Sequence, residues 1–128
     1  MGIRMFPCTT LTSLSEILRM DFEYFIIDMG ILNVYTAAEF SRCQKQFLVG
    51  SLCEWKKAHT LEKIRLLFNT TNLHQEYITL LGDGVKKESK LVISSNLSLR
   101  VLPIPFIHNP FRFGTELFSF WGKLLATN

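Results

Sequence analysis

Cysteine is scarce in this chain and odd in number. Cys8, Cys43 and Cys53 share no C-x-x-C spacing, which argues against a disulfide framework and a structural zinc site and makes reduced thiols the expectation. His59, His74 and His108 are far apart and none lies in an H-E-x-x-H context, so no helix-borne metal site is written here. The N-terminus lacks the long apolar core of a signal peptide, and no apolar run approaches the roughly 20 residues that cross a bilayer. Charge is also modest. A net +3, with Lys56-Lys57 and Lys86-Lys87 the only adjacent basic pairs, is too little to imply a nucleic-acid partner. Those pairs read as solvated faces rather than as a phosphate-binding patch. There is no internal repeat, low-complexity tract or interdomain linker. The expectation is a cytoplasmic protein without a membrane span, folded as a single α/β domain over residues 1–128.

What is present is an apolar, aromatic-rich chain. Apolar residues make up 48% and charged ones 20%, a globular balance, and eleven phenylalanines lead one to expect a thick interior. The stretch 22–30, FEYFIIDMG, stands out. An unbroken apolar run, Tyr24-Phe25-Ile26-Ile27, ends in the carboxylate of Asp28 and turns at Gly30. Apolar runs without polar alternation suit strands buried on both faces of a parallel sheet. A carboxylate at the C-terminal end of such a strand lies where open α/β sheets place ligands. Asp28 therefore has two readings: ligand to a metal, or cap of the following turn.

Along the chain, apolar segments alternate with helical spacing. Residues 3–7 read as a short strand stopped by Pro7. Ser13-x-x-Glu16, Thr36-x-x-Glu39 and Ser51-x-x-Glu54 are capping-box patterns predicting helices to about Met20, Cys43 and Phe68. Leu61, Ile64, Leu67 and Phe68 mark the buried stripe of the third, with Trp55 near its start. QFLVG (46–50), YITLL (77–81) and residues 100–104 predict further strands, and residues 85–94 a weaker helix. After the irregular His108-Asn109-Pro110 turn, Leu117, Phe120, Trp121 and Leu124 predict a C-terminal amphipathic helix. This alternation implies an α/β fold with a mainly parallel sheet flanked by helices.

The 22–30 block resembles the YDYIIIDxG strand of the ParA/MinD-like partitioning ATPases, a family of P-loop NTPases whose magnesium-side strand has the form hhhhDxG. The passage from residues 46–50 into the helix after them, and Ile104-Pro105-Phe106, which is similar to the family's Ile-Pro loop near the adenine, extend the likeness over residues 3–125 as the second half of such a protein. The resemblance implies a Rossmann-like three-layer domain, magnesium at Asp28, and nucleotide contacts at Gly30, Pro105 and Phe106.

One element of that family is missing. G-x-x-x-x-G-K-[ST] does not occur: the one Gly-Lys pair, Gly122-Lys123, is followed by Leu124 and preceded at the fifth position by Leu117. Without that loop no backbone N–H groups converge on the β- and γ-phosphates. The family's purine-reading Asn is absent too, since Leu81 is followed by Gly82-Asp83-Gly84. The expectation is a non-catalytic, P-loop-less remnant that associates with itself or with a complete ATPase. The alternatives are half of an ATPase that uses magnesium and ATP with a P-loop supplied elsewhere, or a receiver-like signalling domain with Asp28 as phosphoacceptor and Lys86 as its lysine. Cys53 at a helix start reads as a buried thiol or as a reactive one, and Trp55 and Trp121 as core or interface anchors.

Overall fold

The structure, a computed structural model, describes residues 4–7, 9–107 and 114–126. It divides into two compact units, Met1–Gly30 and Ile31–Asn128.

The first unit carries helix α1 (Leu11–Ile17), closed at its start by a capping box. Thr10 Oγ1 accepts from the Ser13 N–H at 3.2 Å, and Ser13 Oγ accepts from the Thr10 N–H at 3.0 Å. Ser13 thus serves as the third helical residue rather than the cap, one turn earlier than the Ser13-x-x-Glu16 pattern predicts, and the helix ends at Ile17 rather than near Met20. The strand expected through Tyr24–Asp28 does not form, and neither do residues 4–7 form one; Ile3 lies outside the described residues. Phe22 instead meets Phe6 and Phe25 edge-on, with centroids 6.3 and 5.6 Å apart, and the Arg4 guanidinium lies 5.9 Å from its ring centroid. The run is held by local aromatic contacts, and Ile26 is 86% exposed. A strand's preference for apolar residues is a preference for a paired, half-buried surface, and this run has no ladder partner.

The second unit is α/β. After α2 (Ala37–Ser41) come β1 (Gln46–Ser51), α3 (Glu54–Thr70), a 3-10 turn (Gln75–Tyr77), β2 (Ile78–Asp83), β3 (Ser89–Ser94), β4 (Leu97–Pro103) and α4 (Thr115–Ala126). The sheet order is β1-β2-β4-β3, with β1, β2 and β4 parallel and β3 antiparallel to β4. Residues 85–94, read as a helix, are thus a turn and an edge strand. The run Ser89–Ser94, in which Leu91 and Ile93 turn inward and Val92 and Ser94 outward, and the two-residue turn Ser95-Asn96 make a hairpin with β4, which begins at Leu97 rather than Arg100. The strand read at 77–81 is displaced by one residue because Tyr77 belongs to the 3-10 turn. Asn33 and Thr36 bracket the start of α2: Asn33 Oδ1 accepts from the N–H groups of Tyr35 and Thr36, and Thr36 Oγ1 accepts from the Asn33 N–H at 3.1 Å. Ser51 is a strand residue, so the cap of α3 is Cys53, which makes no side-chain capping bond.

The core is aliphatic. Ile78 and Leu80 of β2 with Leu99 and Val101 of β4 fill the middle of the sheet, and Ile64 brings the stripe of α3 onto them. Among the described phenylalanines only Phe40 is buried, so the phenylalanine-thick interior expected from composition is not what fills this fold. Trp55 is 78% exposed, with Lys56 Nζ 4.4 Å from its ring centroid, and is not a core anchor. The buried Gln46 and the buried Ile93 carbonyl are both satisfied across elements. Gln46 Nε2 donates to the carbonyls of Ser41 and Cys43, both at 3.1 Å, and Arg65 donates from Nε and Nη2 to the Ile93 carbonyl at 3.1 and 2.8 Å. Ile93 lies at the register irregularity of β3, where its carbonyl would otherwise be unpaired. Lys45 Nζ holds α4 by donating to the Leu124 and Leu125 carbonyls. The expected turn at His108-Asn109-Pro110 lies outside the described residues. Among the described residues no helix is long and apolar enough to cross a membrane.

Urea unfolding of two variants compares the two apolar runs. Leu80→Ala, at a site 1% exposed, is expected to lose about 2–5 kcal/mol through transfer and cavity costs. Ile26→Ala is expected to stay within about 0.5 kcal/mol of the parent. Equal losses would mean that residues 24–28 are packed as a core strand after all.

Candidate functional site

The residues singled out in the sequence fall into both units. In the first, the Gly30 N–H donates to Asp28 Oδ1 at 2.9 Å, and Gly30 takes φ 60°. The Asp28 carboxylate thus closes a turn on its own backbone, a geometry that Asp and Gly favour. Magnesium asks for near-octahedral oxygen coordination. Asp28 brings one exposed carboxylate, and among the described residues no three His, Cys, Asp or Glu side chains gather so as to hold a metal ion. These donors do not fit a magnesium–nucleotide site. Nor does Asp28 end a strand, which a receiver-type phosphoacceptor requires. In the second unit, Ile104 extends the ladder through its N–H to the Gly82 carbonyl at 3.1 Å; Pro105 is half-buried and Phe106 is 79% exposed.

The parallel strands β1, β2 and β4 end together at Ser51, Asp83 and Pro103, the edge at which open α/β sheets collect ligands. There the Asp83 carboxylate takes two donors: Ser51 Oγ at 3.3 Å and Cys53 Sγ at 3.7 Å, both to Oδ2. Its carbonyl accepts the Leu52 N–H at 2.7 Å. Asp83 therefore latches the β1–α3 connection to the end of β2. Gly84 follows at φ 80°, and a Cβ there would lie 2.7 Å from Cys53 Sγ and 2.8 Å from its backbone nitrogen. The position requires glycine on both counts. Cys53 is thus half-buried with a carboxylate as its partner, an arrangement that ties a connection together.

Comparison of the chain with protein-family models, curated proteins and solved structures finds no match. The geometry has to speak for itself.

Beside the latch lies an open depression of about 440 Å³, lined by Leu52, Lys57, Lys86, Lys87, Lys90 and Val101 among others. Sequence reasoning missed this grouping. Lys57 is carried in by α3 from about thirty residues away, and residues 86–90 lie at this edge only because they form a turn and a strand instead of a helix. Cys43, the other described cysteine, has its thiol pKa pushed up by burial and by the Glu39 carboxylate.

Glu88 sits at the start of the hairpin, and Arg100 Nε donates to its Oε1 at 2.7 Å. That bond, with the charges of Arg100 and Lys123, holds the carboxyl below its ordinary range against a smaller opposing effect of desolvation. A lowered folded-state pKa contributes stability that is present above the unfolded carboxylate pKa and lost as pH falls through the folded one. Carbon-detected NMR titration is expected to find Glu88 protonating at lower pH than a free glutamate, and Arg100→Gln to move it back up. A Glu88 that titrates identically in both proteins would show that Arg100 does not hold it.

Gly84→Ala has a second measurable consequence. It is expected to cost at least about 1–2 kcal/mol from the left-handed backbone alone, with the Cys53 contact added. Thermal unfolding with the melting temperature of the parent would mean that the latch tolerates a side chain and is not close-packed.

Proposed function

We propose that this chain is a non-catalytic protein-interaction module that pairs with a second copy of itself along the open edge of β1. The observation that carries this reading is the contrast between the two sheet edges. The β3 edge is blunted by Lys90 and by the irregularity at Val92–Ser94, devices that discourage strand addition. The β1 edge, QFLVGS, has neither charge nor proline nor irregularity, pairs among the described residues with β2 alone, and presents Val49 at 75% exposure. A two-fold axis beside β1 sets this strand antiparallel to its own copy, giving an isologous interface in which every contact occurs twice. Exposed Trp55, Phe106 and Phe118 give the unit apolar surface beyond that edge.

The same reading makes the chain a P-loop-less relative of the ParA/MinD-like ATPases. Support comes from the parallel β1–α3–β2 unit and from the Ile104-Pro105-Phe106 segment leaving β4. The Asp28 block supports it by sequence alone, since it forms no strand. Association with a complete ATPase is the heterologous form of the same edge pairing. ATP hydrolysis has no support in the donors around Asp28, and the sequence carries no G-x-x-x-x-G-K-[ST] loop to hold the phosphates.

Light scattering after size exclusion, run across a concentration series, tests the proposal. The expected result is a monomer–dimer equilibrium, displaced to monomer by Val49→Lys with little change in melting temperature, because the site is exposed. A parent that stays monomeric at every concentration, or a dimer untouched by Val49→Lys, overturns it.

A further inference from the structure

The depression at the carboxyl edge of the sheet carries a charge pattern that the edge-pairing reading does not use. Its titratable lining is of one sign: Lys57 from α3, Lys86 and Lys87 from the turn after Gly84, and Lys90 from β3. All four are exposed, and none makes an ion pair with a described carboxylate. Of the carboxylates nearest in sequence, Asp83 is engaged by Ser51 and Cys53 and Glu88 by Arg100, and Glu54, three residues before Lys57 on α3, makes no ion pair with it. The floor is apolar: Leu52, Val85 and Leu91 are half-buried there, while Val101 is fully buried.

We propose that this depression binds a small organic phosphate, its phosphate among the four ammonium groups and its carbon skeleton against the half-buried Leu52, Val85 and Leu91. Four like charges around one hollow repel each other, and within a Debye length of about 8 Å salt screens that repulsion only in part. A compact polyvalent anion relieves it. Lysine suits the task, as a point charge with three rotatable donors that meets phosphate without a fixed fork geometry. The volume lies in the range of small-ligand sites, and the mixture of apolar floor and few charged groups is what such sites use to fix orientation. The apolar floor is the reason to choose an organic phosphate over the bare ion. The site stands independently of the β1 edge, since its lining comes from α3, the 84–88 turn, β3 and β4 together with Leu52.

Amide chemical-shift mapping of the full chain at low salt tests this with phenyl phosphate, inorganic phosphate and phenol as separate probes. Phenyl phosphate is expected to bind saturably, with shifts centred on residues 52, 84–91 and 101. Inorganic phosphate should perturb the same amides more weakly, and phenol should leave them unmoved. Lys86→Gln combined with Lys87→Gln is expected to weaken phenyl phosphate about tenfold, the sum of two exposed charge contacts. Lys57→Gln provides a second variant from a different element, and Lys63→Gln, whose side chain does not line the hollow, should change nothing. The absence of saturable shifts, equal binding of inorganic and phenyl phosphate, or an equal loss in Lys63→Gln would overturn the site. So would tighter binding of a single-stranded RNA or of phosphatidylserine vesicles that the lysine variants abolish, since the patch would then serve a macromolecular surface.

Discussion

The parallel pairing of β2 on both of its sides is the constraint from which the second unit follows. A parallel neighbour cannot be reached by a tight turn, so each pairing demands a crossover. From β1 the crossover is α3, whose Ile64 then has to bury against the sheet. Toward β4 the chain uses no helix. It leaves β2 at Gly84, travels to the outer edge, runs back as β3 and only then enters β4 between them. Since β3 is antiparallel to β4, it starts at the carboxyl edge, and the 84–88 connection stays there. The crowding of Asp83, Gly84, Cys53 and the lysines at one edge is a consequence of that route.

The strands that came through from sequence are those whose environment is set by this constraint. Residues 77–81 supply β2, flanked by parallel strands on both sides, and an uninterrupted apolar run is what such a position selects; residues 46–50 pair in parallel beside it as the edge strand β1. The stripe of α3 was legible for the complementary reason: a helix that covers a sheet on one side shows its period in the chain. The amphipathic α4 was legible likewise: of its i, i+3, i+4, i+7 stripe Leu124 is buried and Leu117 and Phe120 half-buried, while Trp121 is exposed.

What was not legible depended on partners distant in sequence. Residues 85–94 are rich in Lys and Glu, residues comfortable in helices, and their strand state comes from pairing with β4. The cues were local and small: Gly84 before, Ser95-Asn96 after, and the short apolar, β-branched run Leu91-Val92-Ile93 between. In 22–30 the error ran the other way, with an apolar run as strong as any in the chain and no ladder to join. Capping patterns misled by position. Thr10–Ser13 closes α1 because a hydroxyl three residues before the pattern was equally able to reach the free N–H groups. At the site, Gly84 was legible only as punctuation, while its need for a bare backbone arises from Cys53, thirty-one positions away in the chain.

Composition and burial also part company here, and the reason bears on what the surface is for. The aromatic residues add up to a large apolar area, yet the sheet is filled by Ile, Leu and Val, whose branched shapes suit the pleated surface at strand positions. A four-stranded sheet covered by one long helix has room for few rings. Among the described rings outside the core, Trp55 sits under Lys56 on α3, and Phe120 meets Trp121 on α4 with centroids 5.7 Å apart. A core that is small, aliphatic and closed by β2 and β4 leaves the edge strand β1 with much to gain from a partner. The edge nearer the lysines has its own charge and irregularity to keep other strands away. The two proposals divide the sheet along that edge chemistry: self-pairing is assigned to the uncharged β1 side, and anion binding to the carboxyl end, where Lys57, Lys86, Lys87 and Lys90 line one hollow.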